Sequence, residues 1–173
     1  MSALEISAAK LLIPALGTVV ILMRFRKGPL LEGALRWPPV AQAAGWYGLY
    51  IAWMIATDLV SGWRGPWDLA PWREAPLLAS AMRVLAVGFA GPLLEELVFR
   101  GLAFGVLVRR GVNAPLTILI TAIGWSLLHV AYAPSMIAVI AVAGVILGAA
   151  RWRTGSVLLP IAMHVSWNLY AIW

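Results

Sequence analysis

LLASAMRVLAVGFAGPLLEELVFRGLAFGVLVR, residues 77–109, decides how this chain is built. The stretch is apolar almost throughout, yet Arg83, Glu95, Glu96 and Arg100 interrupt it before it ends at Arg109 and Arg110. As one helix its 33 residues would extend about 50 Å against a hydrocarbon core of about 30 Å, so it reads as one long tilted crossing or as two short ones. Charge asymmetry arbitrates. With one crossing, Arg24, Arg26, Lys27 and Arg36 share a side with Arg109, Arg110, Arg151 and Arg153, and the opposite loops keep only Arg64 and Arg73. The positive-inside rule therefore favours a single crossing, a bundle of about six helices, and both termini on the non-cytoplasmic face.

The rest of the chain agrees with an all-α, polytopic transmembrane bundle. Of 173 residues, 62% are hydrophobic and 12% charged, and the mean hydropathy is +0.89; soluble domains carry about 25% charged and about 45–50% apolar residues. A soluble globular enzyme is excluded. Further apolar runs cover residues 6–23, 40–60, 113–131, 134–150 and 156–173. The first, interrupted by Lys10 and Pro14, precedes its basic cluster and lacks a small-residue cleavage site, so it reads as a retained helix and not a signal peptide. Residues 61–76 combine three Trp with Pro, Gly and both charge signs and suit a loop in the headgroup region. One transmembrane domain, 1–173, is expected, with a catalytic core at about 77–173. The net charge of +6 sits at the ends of apolar runs, where topology and lipid headgroups explain it better than nucleic acid does. Without cysteine there is no disulfide, thiolate nucleophile or Cys-ligated metal.

Charged groups inside an apolar helix demand compensation, each costing on the order of 2.5–3.5 kcal/mol near the bilayer centre. Glu96 and Arg100 are four apart with the acid N-terminal, the favourable order for an ion pair on one helix face. Glu95 points about a quarter-turn away and has no local partner. Both histidines are also expected in apolar helices: His129 ends WSLLH after Trp125, and His164 begins HVSWN, with Asn168 one helical turn later. A rise of 1.5 Å per residue from the basic ends puts Glu95 about 21 Å deep, His129 about 24 Å, and His164 and Asn168 about 14 and 20 Å. Three helices thus bring polar groups to one layer, as a shared site requires. A buried packing network is the plain structural alternative.

These groups support a narrow chemistry. A carboxylate held out of bulk water is a usable general base toward a water molecule, which a neutral His can hold or relay a proton from. A second His and an Asn amide suit the oxyanion of a tetrahedral intermediate. Together they describe amide hydrolysis by activated water, with no metal and no cofactor. A zinc site of the HExxH kind needs two His four apart, a Ser nucleophile needs its elbow or base, and an aspartyl dyad needs two embedded Asp. Here the His are 35 positions apart, no such Ser motif occurs, Asp58 lies near a helix end and Asp68 in the Trp-rich loop.

EELVFR (Glu95 to Arg100), WSLLH and HVSWN resemble, in order, the EExxxR, FxxxH and HxxxN motifs of the CAAX-protease and bacteriocin-processing family, the glutamic intramembrane endopeptidases called CPBP or Abi. The resemblance covers about residues 77–173. It implies that Glu95 is the catalytic base, that His129 helps position the water, that Glu96 and Arg100 orient the site, and that His164 and Asn168 stabilise the oxyanion. The departure is Trp125 where the family usually has Phe, a larger ring that narrows the pocket. Trp125 and Trp167 are candidate substrate-binding residues. The implied partner is a membrane-anchored protein or peptide, and the lean is toward a tail processed on the outer face of a bacterial or archaeal cell membrane.

The remaining features have ordinary readings. Gly101 with Gly105, and Gly144 with Gly148, are small-xxx-small pairs that let helices approach closely. Trp37, Trp63, Trp67, Trp72, Trp152 and Trp173 form interfacial belts, and Arg83 snorkels toward the headgroups. Two other classes of function stay open on these residues: a non-catalytic immunity or chaperone-like membrane protein, and a proton-coupled carrier using Glu95 and His129.

Overall fold

The computed structural model describes residues 2–61 and 76–172. Six helices and no strand are found among them: α1 (Ala3–Phe25), α2 (Val40–Ser61), α3 (Leu77–Arg109), α4 (Ala114–Ser126), α5 (Pro134–Thr154) and α6 (Leu158–Ile172). The 77–109 stretch is one continuous helix. Three helices, α1, α3 and α5, are by themselves long and apolar enough to cross a membrane. Aromatic and glycine residues dilute the apolar character of α2. Helix α4 with its closing 3-10 turn Leu127–His129 is only 16 residues, about 24 Å, and α6 is about as short, so each falls below the hydrocarbon thickness.

Local sequence accounts for the boundaries. Ser2 accepts from Glu5 N while Glu5 returns a bond to Ser2 N, a reciprocal cap that starts α1. Asn113 caps α4 through Leu116 N, Pro115 and Pro134 sit where helix N–H groups would be unpaired, and Gly155, at φ +69°, ends α5 in the left-handed region.

Helix α3 is not α-helical throughout. It widens into π turns at Ala86–Ala90 and Leu97–Ala103, on either side of Gly91–Glu96. Pro92 supplies the cause of the first: it has no N–H to give its preceding turn, and its ring crowds the carbonyl four residues back. Gly91 N–H accordingly bonds to Ala86 O, so the Val87 carbonyl receives neither the Gly91 N–H nor one from Pro92.

Helices α4 and α5 pack closely, α1 runs along the N-terminal half of α3, and α6 lies against α2, α3 and α5. A Cβ at Gly144 would stand 3.1 Å from Ala122 Cα and 3.1 Å from the Trp125 ring, and one at Gly148 3.1 Å from Ile118. On α3, a Cβ at Gly101 would meet Leu31 at 2.8 Å and one at Gly105 would meet Leu30 O at 3.1 Å. All four glycines therefore serve close approach. The core joins Tyr50, Met54, Trp125, Leu147, Leu159 and Met163, and a second cluster sets Leu31 and Ala34 against Leu97 and Val157.

Two expectations need correction. Arg83 does not simply reach for headgroups: its Nε donates to Ser7 Oγ at 3.0 Å, tying α3 to α1. His129 is not within an α-helix but ends the 3-10 turn that closes α4, because the chain turns toward Pro134 there. Trp37 and Trp152 are exposed, as belt residues would be; Trp63, Trp67, Trp72, Trp173, Arg64, Arg73 and Asp68 lie outside the described residues. Asp58 accepts a hydrogen bond from Tyr170 at 2.7 Å.

Candidate active site

Glu95 and Glu96 are neighbours with different environments. Helix α3 turns Glu96 into the bundle, fully buried beside the equally buried Arg100. Arg100 Nη1 donates to Glu96 Oε1 at 2.8 Å, Arg100 Nη2 donates to Gly144 O at 3.2 Å, and His164 Nδ1 meets the same Glu96 oxygen at 2.9 Å. The i,i+4 pair thus extends into a three-helix tie among α3, α5 and α6. The contacts are short and charge-assisted, while Glu96 Oε2 and Arg100 Nε are buried without a hydrogen-bond partner among the described residues.

Glu95 is half-buried and faces a cavity of about 320 Å³. His129, His164, Asn168, Trp125 and Trp167 line that same cavity. The six residues expected to carry catalysis therefore divide by position: Glu95, His129, His164 and Asn168 reach the cavity wall, while Glu96 and Arg100 lie behind it. Tyr50 from α2, Lys10 and Pro14 from α1, and Tyr132 from the turn after α4 complete the wall. None of these four was singled out in the sequence as a site residue, since each falls outside the three motifs. Burial, then the Glu95 carboxylate, raises the Tyr132 phenol above its ordinary value.

Glu95, without a partner on its own helix, has one on another. Trp125 Nε1–H donates to Glu95 Oε2 at 2.6 Å across 30 positions of sequence; spacing along one helix could not disclose a donor on another. The same indole presents its face to Arg100, with Cζ 4.6 Å from the ring centroid. Both imidazoles meet it at steep angles, His129 at 5.6 Å and His164 at 5.0 Å between centroids.

The other polar groups also have fixed partners. Asn168 Nδ2 donates to Val87 O at 2.8 Å, taking up the carbonyl that the first π turn strands. One amide hydrogen of Asn168 is thereby spent, and its second hydrogen and its oxygen remain. His129 Nδ1 lies 3.3 Å from Trp125 O; a proton on Nδ1 leaves Nε2 as an acceptor. This constellation can hold a water molecule between a carboxylate and an imidazole, with further imidazole and amide groups across a small space.

Residues 77–170 match the family model described as type II CAAX prenyl endopeptidase, Rce1-like, over more than half of the chain. No curated protein and no solved structure matches it.

Proposed function

The chain belongs to the Rce1-like family of type II CAAX prenyl endopeptidases, and from that membership and the cavity we propose a glutamic intramembrane endopeptidase. Family membership alone implies an endopeptidase acting at a membrane; the glutamate mechanism, the roles of the residues and the substrate are our reading. The observation that carries it is the gathering of Glu95, His129, His164 and Asn168 around one cavity.

Glu95 takes a proton from water as the water oxygen adds to the scissile carbonyl carbon. The carbonyl electron pair moves to its oxygen, giving a tetrahedral oxyanion. His129 Nε2 accepts the other water hydrogen and aims the nucleophile. The free amide hydrogen of Asn168 and the imidazole of His164 stabilise the oxyanion. Collapse breaks the C–N bond, and the leaving nitrogen takes the proton that Glu95 holds. Glu96 and Arg100 act from behind, holding His164 and α5 in register. The substrate is a membrane-anchored protein or peptide tail carrying a prenyl group. Lys10, His129 and Tyr132 wall the cavity at the end of the bundle away from the basic cluster, which supports access from the non-cytoplasmic half.

The test uses purified protein in lipid vesicles and an internally quenched peptide bearing a prenylated cysteine. Glu95→Gln is expected to lower kcat by about 10²–10⁴-fold, the worth of a general base, with the melting temperature unchanged because the amide oxygen still accepts from Trp125. Chelators leave wild-type turnover unaltered. Wild-type turnover in the Glu95→Gln variant rejects the assignment, and pH-gradient-dependent flux without cleavage turns the reading to a carrier.

A further inference from the structure

Glu95 sits on α3, and nothing on its own helix fixes the direction of its carboxylate. A half-buried Glu has three side-chain torsions, and a base that samples several of them is aligned with its water only part of the time. One oxygen, Oε2, is held by the Trp125 indole N–H at 2.6 Å. The other, Oε1, has no hydrogen-bond partner among the described residues, and Glu95 itself lines the cavity.

Trp125 is itself held from several directions. It is 3% exposed. One ring face lies against the Arg100 guanidinium, whose Nη1 is engaged by Glu96 and whose Nη2 is engaged by Gly144 O. Its six-membered edge lies 3.1 Å from where a Cβ would stand on Gly144, so the backbone of α5 closes on it. His129 and His164 border it on two further sides. A large ring confined in this way places its N–H with little freedom, which is the use of an indole that combines an apolar body with one polar handle.

We infer that Trp125 is a positioning residue: its N–H pins Oε2 of Glu95 and so aims Oε1 at the water. This rests on the reading of Glu95 as the base, and it adds a donor's role to a ring expected to narrow the pocket and to bind substrate. A phenyl ring, as in the FxxxH pattern, would keep the packing and the contact with Arg100 but has no donor. Aiming a base affects turnover more than substrate capture. Loss of the donor therefore lowers kcat by about 10- to 100-fold, the worth of one hydrogen bond to a charged group, and leaves KM within about threefold.

Two arms test it on the full chain in detergent micelles or vesicles. In the first, the indole ¹⁵N–¹H resonances of the ten Trp residues are recorded for the wild type, Trp125→Phe and Glu95→Leu. Trp125→Phe removes one signal and so identifies it. That signal is expected downfield in the wild type and moved upfield in Glu95→Leu; an unmoved signal overturns the inference, and this arm needs no turnover. In the second, kcat and KM for the quenched prenyl peptide are measured for Trp125→Phe and for benzothienylalanine at 125, which keeps the shape of indole but replaces N–H by sulfur. Loss of kcat in both at constant KM supports the inference, and wild-type kcat in the benzothienyl variant overturns it even if Trp125→Phe misfolds. If the signal responds to Glu95 but Glu95→Gln still cleaves at the wild-type rate, the contact stands, while the role of Glu95 as base fails and with it the positioning role.

Discussion

Removing the carboxylate of Glu96 leaves the fully buried Arg100 without its counter-charge. In Glu96→Ala, Arg100 keeps only Gly144 O at 3.2 Å for its guanidinium and the indole face of Trp125, and His164 Nδ1 loses its acceptor at 2.9 Å. Arg100 is 0% exposed, so no water replaces the lost partner. Breaking a buried pair by deleting one member costs about 3–5 kcal/mol, most of it the penalty of a charge left uncompensated. At roughly 2–4 °C per kcal/mol for a chain of this size, the melting midpoint falls by roughly 6–20 °C. Intrinsic Trp fluorescence in a fixed detergent reads the midpoint, with Glu32→Ala, an exposed acid outside the helices, as the control. Combining Glu96→Leu with Arg100→Met removes both charges and should recover much of the loss, because no buried charge is left uncompensated and only the neutral contact of His164 Nδ1 stays broken. A Glu96→Ala midpoint equal to that of Glu32→Ala, or a double variant worse than either single one, would refute the buried-pair account.

Three further outcomes follow from the packing around the cavity. Asn168→Leu strands the Val87 carbonyl and costs about 1–3 kcal/mol; hydrogen exchange should show faster opening of residues 86–91, and an unchanged rate there would contradict the tie. Gly144→Ala forces a methyl against Ala122 Cα at 3.1 Å and should cost about 1–3 kcal/mol by thermal melting, whereas Gly45→Ala, with open space around it, should not. Ser7→Val removes the acceptor of Arg83 Nε and should loosen α1 from α3, read as increased protease sensitivity at the N-terminal end of α3; full protection would argue that apolar packing alone holds α1.

The parts of this molecule that were legible in its sequence are those set by composition and by spacing along one helix. Apolar runs and loop charges yield six helices, including the single helix at 77–109. The Glu96–Arg100 pair follows from i,i+4 geometry, and the close-approach glycines from their four-residue spacing. Groups paired across helices were out of reach. Trp125 and Glu95 are 30 positions apart, Asn168 and Val87 are 81 apart, and Arg83 and Ser7 are 76 apart; no periodicity within one element encodes such meetings. His129 was misplaced for a related reason: WSLLH continues the apolar run, and only the approach to Pro134 tightens the last turn.

The two π turns explain why the site sits where it does. In the first, Gly91 N–H passes over Val87 O to reach Ala86, and Asn168 of α6 takes the stranded carbonyl. In the second, Phe104 N–H reaches back to Phe99 O, and the Arg100 carbonyl, which a regular turn would pair with it, accepts from Arg151 Nε of α5 at 2.9 Å. An unsatisfied carbonyl in an apolar medium costs several kcal/mol, so neither widened turn is tolerable without a donor from a neighbouring helix. Asn168 and Arg151 are those donors, and each also fixes the height of its helix against α3. The six residues between the π turns, Gly91–Glu96, are therefore clamped at both ends by partners on different helices. That clamping holds Glu95 toward the cavity and Glu96 into the bundle despite their adjacency. A strictly α-helical 77–109 would rotate the doublet by about 100° for each residue of phase removed and could not keep both carboxylates on their present partners.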